Sequence, residues 1–165
     1  MNFAGAWNNT GSATFSRGSG TLTLDGTTTL TDSSSSAGDL GIVTITGTTT
    51  LGSNVKMTSN TGAGTLDLGA GSYTLTLTGT GSPLGVTTFQ KGTGSTVIYT
   101  GTTTPTNIAT VAYNNLTLTP TGTTTYSLTG NLTTTNAIAG NLTINTNATL
   151  DTTATPYNLE VKGDW

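Results

Sequence analysis

Seven acidic and four basic side chains are all the charge this chain brings to chemistry. The acids are Asp25, Asp32, Asp39, Asp67, Asp151, Glu160 and Asp164, and the bases are Arg17, Lys56, Lys91 and Lys162. Acid–base cleavage of a sugar linkage needs two carboxyls about 5–10 Å apart. Here the acids stand mostly singly, beside glycines or at the ends of alternating runs, where aspartate serves as a turn former. Histidine and cysteine are absent, which removes the commonest general base and the thiolate ligands of metal sites. Neither an EF-hand loop nor the Asp-rich nonapeptide of calcium-binding β-rolls occurs. The expectation is a protein that is not an enzyme and uses no cofactor or metal.

The remaining polar chemistry belongs to threonine. Forty-six residues are Thr, and Thr, Gly, Ser and Asn together exceed half of the chain. Thr-x-Thr rows on a flat sheet repeat at about 4.8 Å between strands and about 7 Å along a strand, an array able to order water and bind ice. Solvated threonine on an outer face is the plainer reading, because the coil lengths look irregular. Asn8-Asn9-Thr10, Asn115-Leu116-Thr117, Asn131-Leu132-Thr133, Asn141-Leu142-Thr143 and Asn147-Ala148-Thr149 match the glycosylation sequon. An asparagine at the turn that opens a strand explains them without sugar. The aromatics Trp7, Phe15, Tyr73, Phe89, Tyr99, Tyr113, Tyr126, Tyr157 and Trp165 offer a glycan surface only if several are exposed together. Trp7 and Trp165, near the two ends, read as packing residues at junctions between copies, and hence as candidates for self-association.

These residues are carried by short alternating runs. Thr21–Leu24, Val43–Thr46, Thr65–Leu68, Thr74–Leu77, Leu116–Thr119, Leu142–Ile144 and Leu159–Val161 place an apolar residue at every second position, the period of a half-buried strand. Turn signals such as Asp25-Gly26, Gly69–Gly71, Gly92–Gly94 and Gly140-Asn141 separate them, and no stretch shows helical periodicity. At 7% charged and 32% hydrophobic, the chain lacks the high net charge of a disordered segment. Its four prolines are too few for a Pro-rich glycosylated stalk. A net charge of −3 provides no basic footprint for nucleic acid. No apolar run is long enough to span a membrane.

The chain also repeats itself. Ala13–Gly26 returns as Thr87–Gly101, with Phe15 on Phe89, Arg17 on Lys91, Gly18 and Gly20 on Gly92 and Gly94, and Leu22 on Val97 after one inserted residue. Thr65–Gly79 aligns without gaps on Thr149–Gly163, with Leu66 on Leu150, Asp67 on Asp151 and Tyr73 on Tyr157. This predicts one domain over residues 1–165, made of two internal repeats, 5–78 and 79–162, with the start of a third at 163–165. Gly163-Asp164-Trp165 reads on into a sequence like Gly5-Ala6-Trp7-Asn8-Asn9. Met1-Asn2-Phe3-Ala4 has neither the basic start nor the apolar core of a secretory leader, so the expectation is a stretch of a longer array or a subunit that joins end to end. The fold that fits is an all-β parallel β-solenoid (β-helix) of roughly seven coils of about 20–24 residues, in which lean apolar rows suffice because strands pair with the coils above and below. Two tandem antiparallel β-sandwiches are the alternative, since Asp25-Gly26 is a hairpin signal. Neither copy, however, holds a central Trp or enough large apolar residues for a two-sheet core.

At GTLTLDGTTT, YNNLTLTPTGTTTYSLTGNLTTT and NLTINTNATLDTTATPYNLEVKGDW, the sequence resembles the Thr/Gly/Asn-rich β-strand repeat regions of very large bacterial surface proteins. These are similar in style to filamentous adhesins and autotransporter passengers. The resemblance implies an extracellular or cell-surface β-solenoid with a structural or adhesive role and brings no catalytic motif. The expected function is a stiff rod or self-assembling filament segment. Its partners would be itself, head to tail, or neighbouring repeats of a longer chain, with no nucleic acid and no membrane insertion. An ice-binding or a carbohydrate-binding solenoid, with ice or surface glycans as partner, is the alternative.

Overall fold

The computed structural model describes residues 1–9, 19–32, 40–57, 64–153 and 155–165. Phe15, Arg17, Gly18, the Ser33–Ser36 loop, Asp39 and Gly62 lie outside the described residues. Alternation of β-branched or aliphatic residues with threonine makes short strands, and glycine-rich corners turn the chain after each. In chain order these are β1 (Asn2–Phe3), β2 (Ala6–Asn9), β3 (Thr21–Leu24), β4 (Thr27–Asp32), β5 (Ile42–Ile45), β6 (Thr48–Leu51), β7 (Val55–Met57), β8 (Thr65–Asp67) and β9 (Thr74–Leu77). They continue as β10 (Leu84–Val86), β11 (Thr88–Gln90), β12 (Thr96–Tyr99), β13 (Thr106–Ile108), β14 (Asn115–Leu118), β15 (Thr124–Leu128), β16 (Leu142–Ile144) and β17 (Ala148–Asp151). Among the described residues the only helical element is a single 3₁₀ turn at Thr134–Asn136.

Every strand pair among the described residues is parallel. The chain is a parallel β-solenoid, and the antiparallel sandwiches are excluded. One sheet runs its whole length in the order β16-β14-β12-β9-β6-β4-β2; a second follows β1-β3-β5-β8-β11. The third side is made of two pieces, β10-β7 and β13-β15-β17. Seven strands on the longest side define about six turns, so the rod is roughly 29 Å long at about 4.8 Å per step. Coil lengths are less even than the sequence suggested: register partners are 19 residues apart at Tyr99 and Leu118 and 26 apart at Leu51 and Leu77.

Columns of side chains run up the inside. Trp7, Leu30, Leu51, Leu77, Tyr99, Leu118 and Ile144 are successive register partners in the long sheet. Beside them run Thr28, Thr49, Leu75, Val97, Leu116 and Leu142. Two threonines therefore occupy interior positions. The Thr28 hydroxyl donates to the Asp25 carbonyl at 3.2 Å, whereas the buried Thr49 hydroxyl has no partner among the described residues. A buried hydroxyl without a hydrogen bond costs about 1–3 kcal/mol. Thr49→Val is expected to raise stability by about 1–2 kcal/mol on that account, read as a higher midpoint in urea denaturation.

Corners depend on glycine where coils approach closely. Gly92 has φ +65°, and a Cβ there would press on the carbonyl oxygens of Gly69 and Leu68 in the coil beneath. Gly92→Ala is expected to destabilise by about 1–3 kcal/mol, with a correspondingly lower thermal midpoint. Asp25-Gly26, a hairpin signal in sequence, is instead the corner between β3 and β4, with Gly26 at φ +75°.

Sequence echoes and sheets keep different registers. Leu22 lies in β3 of the five-stranded sheet, while its sequence counterpart Val97 lies in β12 of the seven-stranded one. Leu66 is in the five-stranded sheet and Leu150 in the three-stranded one. The Thr-Leu-Thr-Leu type of strand is half-apolar wherever it falls, so it serves any side of the coil. The two GNLT segments likewise fall on two sides of one coil: Leu132 bridges Leu159, and Leu142 begins β16.

Candidate functional site

The two residues singled out for self-association stand at opposite ends of the rod. Trp7 is on β2, the last strand of its sheet, and its ring meets Phe3 edge-on at 5.7 Å between centroids. Both rings pack against the core, so this end of the interior is covered by an aromatic pair. Phe3 went unnoticed in the sequence; it is the second residue of β1, in register with the inward Leu24.

The other end is open. Trp165 is 89% exposed and stands with Leu142, Ile144, Leu150, Leu159 and Val161 around a cup of about 580 Å³. Its column follows from the backbone ladder. Leu116 N–H donates to Asn141 O where Leu116 pairs with Leu142. Leu142 N–H donates in the same way to Asp164 O, which brings Trp165 into line with Leu142. Trp7 stands in the neighbouring column, and Gly5 heads the Leu142 column because Ala6 pairs with Thr29. The Gly-x-Trp motifs at the two ends are thus two residues out of step in the stack.

The carboxylates hold local structure. Asp67 accepts from Gly69 N–H at 2.8 Å, and Glu160 accepts from Thr134 N–H at 2.7 Å. The buried Asp32 accepts from the Asn9 side-chain amide at 3.2 Å. Asp151 accepts from both the N–H and the hydroxyl of Thr153, which hold its carboxyl below the ordinary range. Asp25 takes long contacts from Asn2 and Thr46, and Asp164 lies exposed at the open end. Among the described residues no three acidic, His or Cys side chains gather as a metal site would require.

Three of the sequon asparagines, Asn115, Asn131 and Asn141, are rungs between coils. The Asn115 side-chain oxygen accepts from Asn141 N–H at 3.0 Å, and that of Asn141 accepts from Asp164 N–H at 3.0 Å. Asn131 does the same for Asn158 N–H at 2.8 Å. The Asn115 amide also donates to Ser95 O at 3.1 Å. Asn115→Asp replaces that donor with an anion facing a carbonyl, and it is expected to cost about 1–3 kcal/mol, seen as a lower thermal midpoint at neutral pH that partly recovers in acid.

Three of the aromatics that could have offered a sugar surface are interior. Tyr99, Tyr113 and Tyr126 are fully buried. Tyr113 donates to Ala109 O at 2.8 Å, so Tyr99 donates to the Tyr113 hydroxyl at 3.0 Å while accepting from Ala109 N–H at 3.1 Å. Tyr126 reaches Tyr99 O and Gly101 O at 3.2 and 3.1 Å. Burial pushes all three phenols up, Tyr126 to about 12. They fill the joint where the third side changes from β10 to β13. There Asn107 N–H bonds Gly81 O at 2.6 Å, so β13 stacks on the turn before β10 instead of on β10 itself. An open cleft of about 240 Å³ between Leu84, Val86, Asn107, Thr110 and Thr129 marks the joint on the surface.

Comparison with described protein families, with curated proteins and with solved structures finds no match for this chain.

Proposed function

We propose that the chain is a non-catalytic structural segment of an extracellular surface protein, an adhesin-like rod that extends by adding coil on coil. The observation that carries this reading is the open cup at Trp165. An interior column of Leu142, Leu116 and Val97 ends there in an exposed indole, just beyond β16, the last strand of its sheet, where a further parallel strand can add. The coil that covers it comes from a neighbouring repeat or from a second copy of the chain. In a head-to-tail stack that keeps the register, the second copy brings Gly5, which lacks a side chain, over Trp165. The opposite aromatic end, Phe3 and Trp7, supplies the apolar surface that closes the cup.

Light scattering across a concentration series, with negative-stain electron microscopy of the same samples, tests the self-assembling form. Mass that grows with concentration and short filaments of constant width are expected, and Trp165→Lys is expected to leave a folded monomer. A wild-type chain that stays at 16.5 kDa at every concentration would sink self-assembly and leave a rod segment extended only by its own chain.

A further inference from the structure

The outer side of the seven-stranded sheet carries a second feature, independent of the ends. Its outward columns are threonine. Thr29, Thr50 and Thr76 are successive register partners, followed by Ile98, Thr117 and Thr143. Two residues earlier on the same strands, Thr27 pairs with Thr48, and Thr74 pairs with Thr96 and then, through Thr96, with Asn115. Thr48 and Thr74 are brought together by the next pair along, Thr49 with Leu75. Three adjacent strands therefore present Thr-x-Thr side by side. Uneven coil lengths had argued against such order, but the extra residues are taken up in the turns and the columns stay aligned.

The hydroxyls of these threonines differ from others in the chain. Those of Thr46, Thr78 and Thr100, at the strand ends, bond the Leu24, Leu51 and Leu77 carbonyls. None of the column hydroxyls bonds a described residue, so each offers its donor and acceptors to solvent. No charged residue stands in either column. The β-branched side chain is stiff at χ1, and the sheet fixes its neighbours at about 4.8 Å across strands and about 7 Å along them. The five-stranded sheet is less uniform: beside an outward column of Thr21, Ile42, Thr65 and Thr88 runs a second, Thr23, Thr44, Asp67 and Gln90, that contains a carboxylate and an amide.

We propose that this face binds ice. A crystal of water is a neutral lattice of donors and acceptors, and it is complementary to an uncharged, preordered array of hydroxyls at matching spacing. The methyls between them hold water in partial order before contact, and little side-chain entropy is lost on docking because the rotamers are already fixed. A charged face would keep its own hydration shell instead. A crystalline polysaccharide is the less fitting occupant, since sugar planes are met by aromatic rings and Trp7 and Tyr99 lie in inward columns.

The test is the freezing behaviour of the purified full chain, by thermal hysteresis and ice-crystal habit. Faceted crystals and a measurable gap between melting and freezing are expected. Thr50→Lys and Thr76→Lys should each remove most of that gap, while Thr44→Lys on the other sheet should retain it. Thermal melts of all four proteins establish that each is folded. Thr76→Val, which keeps the shape and deletes the hydroxyl, serves if a lysine variant fails to fold. Rounded crystals and no gap from folded wild type would overturn the proposal, as would retention of the gap in both column lysine variants. Sedimentation with cellulose or chitin in place of adsorption to ice would assign the face to polysaccharide instead.

Discussion

Leu77→Ala is expected to remove about 2–5 kcal/mol of unfolding free energy, while Thr76→Ala, one residue away, changes it by no more than about 0.5 kcal/mol. Leu77 is fully buried and stands between Leu51 and Tyr99 in the inward column. Thr76 points outward between Thr50 and Ile98. The methyls removed from Leu77 leave a void bounded by two flat neighbouring coils. Each coil is held by backbone hydrogen bonds above and below, so neither can close in to fill the space. A domain of this size has only about 5–15 kcal/mol in total, which makes the change visible as a large fall in the urea midpoint. A solenoid transmits it as well: coils touch only their neighbours, so loss at β9 splits the stack between β6 and β12. Hydrogen exchange in Leu77→Ala should therefore quicken first at β6, β9 and β12 and later at β2 and β16. Equal loss from both substitutions would mean that the inward and outward phases of this strand are misassigned.

That phase is what the sequence states most clearly. Where threonine alternates with leucine, as in Thr74-Leu75-Thr76-Leu77, every second residue is apolar, and the structure buries each leucine. The same rule fixes parallel pairing only indirectly, through the thin apolar content that two packed antiparallel sheets could not live on. Thr27-Thr28-Thr29 and Thr48-Thr49-Thr50 hide the phase, because a threonine run looks alike from both sides. Only the stacked register reveals that Thr28 and Thr49 are interior. Leu159-Glu160-Val161, read as a strand, makes two separate bridges, Leu132 to Leu159 and Ile138 to Val161. The break lies in the coil it pairs with, where residues 133–137, with the 3₁₀ turn Thr134–Asn136, loop out between Leu132 and Ile138.

The candidate sites were legible in proportion to how local they are. Asparagines opening strands were read as turn formers, and their oxygens do receive the N–H of the next coil. The ends were noticed through Trp7 and Trp165, but not the edge-on contact with Phe3, which joins residues on two strands. The outward columns were foreseen as a type of surface and not as a place. Column order depends on turns of different length restoring the same register, which no spacing along the chain records. The tyrosine cluster was invisible for the same reason: Tyr99, Tyr113 and Tyr126 belong to three sides and meet only inside the coil.

That cluster sets the second large effect, a cooperative unfolding in alkali. In the folded chain burial raises the phenols of Tyr99, Tyr113 and Tyr126 above the ordinary value of 10, Tyr126 to about 12. A raised acid holds its proton longer in the folded state than in the unfolded one. The associated stability is fully present below about pH 10 and declines as pH rises from 10 through the folded values. Within that window each tyrosine takes away at most about 1.4 kcal/mol per pH unit, with the loss at Tyr126 reduced by solvent screening. The losses add, and they draw on a total reserve of only about 5–15 kcal/mol. Circular dichroism followed from neutral pH upward should therefore stay flat to about pH 10 and then fall steeply, and part of the phenolate absorbance should appear only with that fall. Tyr126→Phe deletes one titrating group. Tyr99 O keeps the Thr119 N–H at 3.0 Å, so the variant should lose about 1 kcal/mol at neutral pH and unfold over a shallower alkaline slope. If phenolate absorbance rises fully while the strands remain intact, the three hydroxyls are reachable by solvent without unfolding, and the joint between β10 and β13 is not sealed by them.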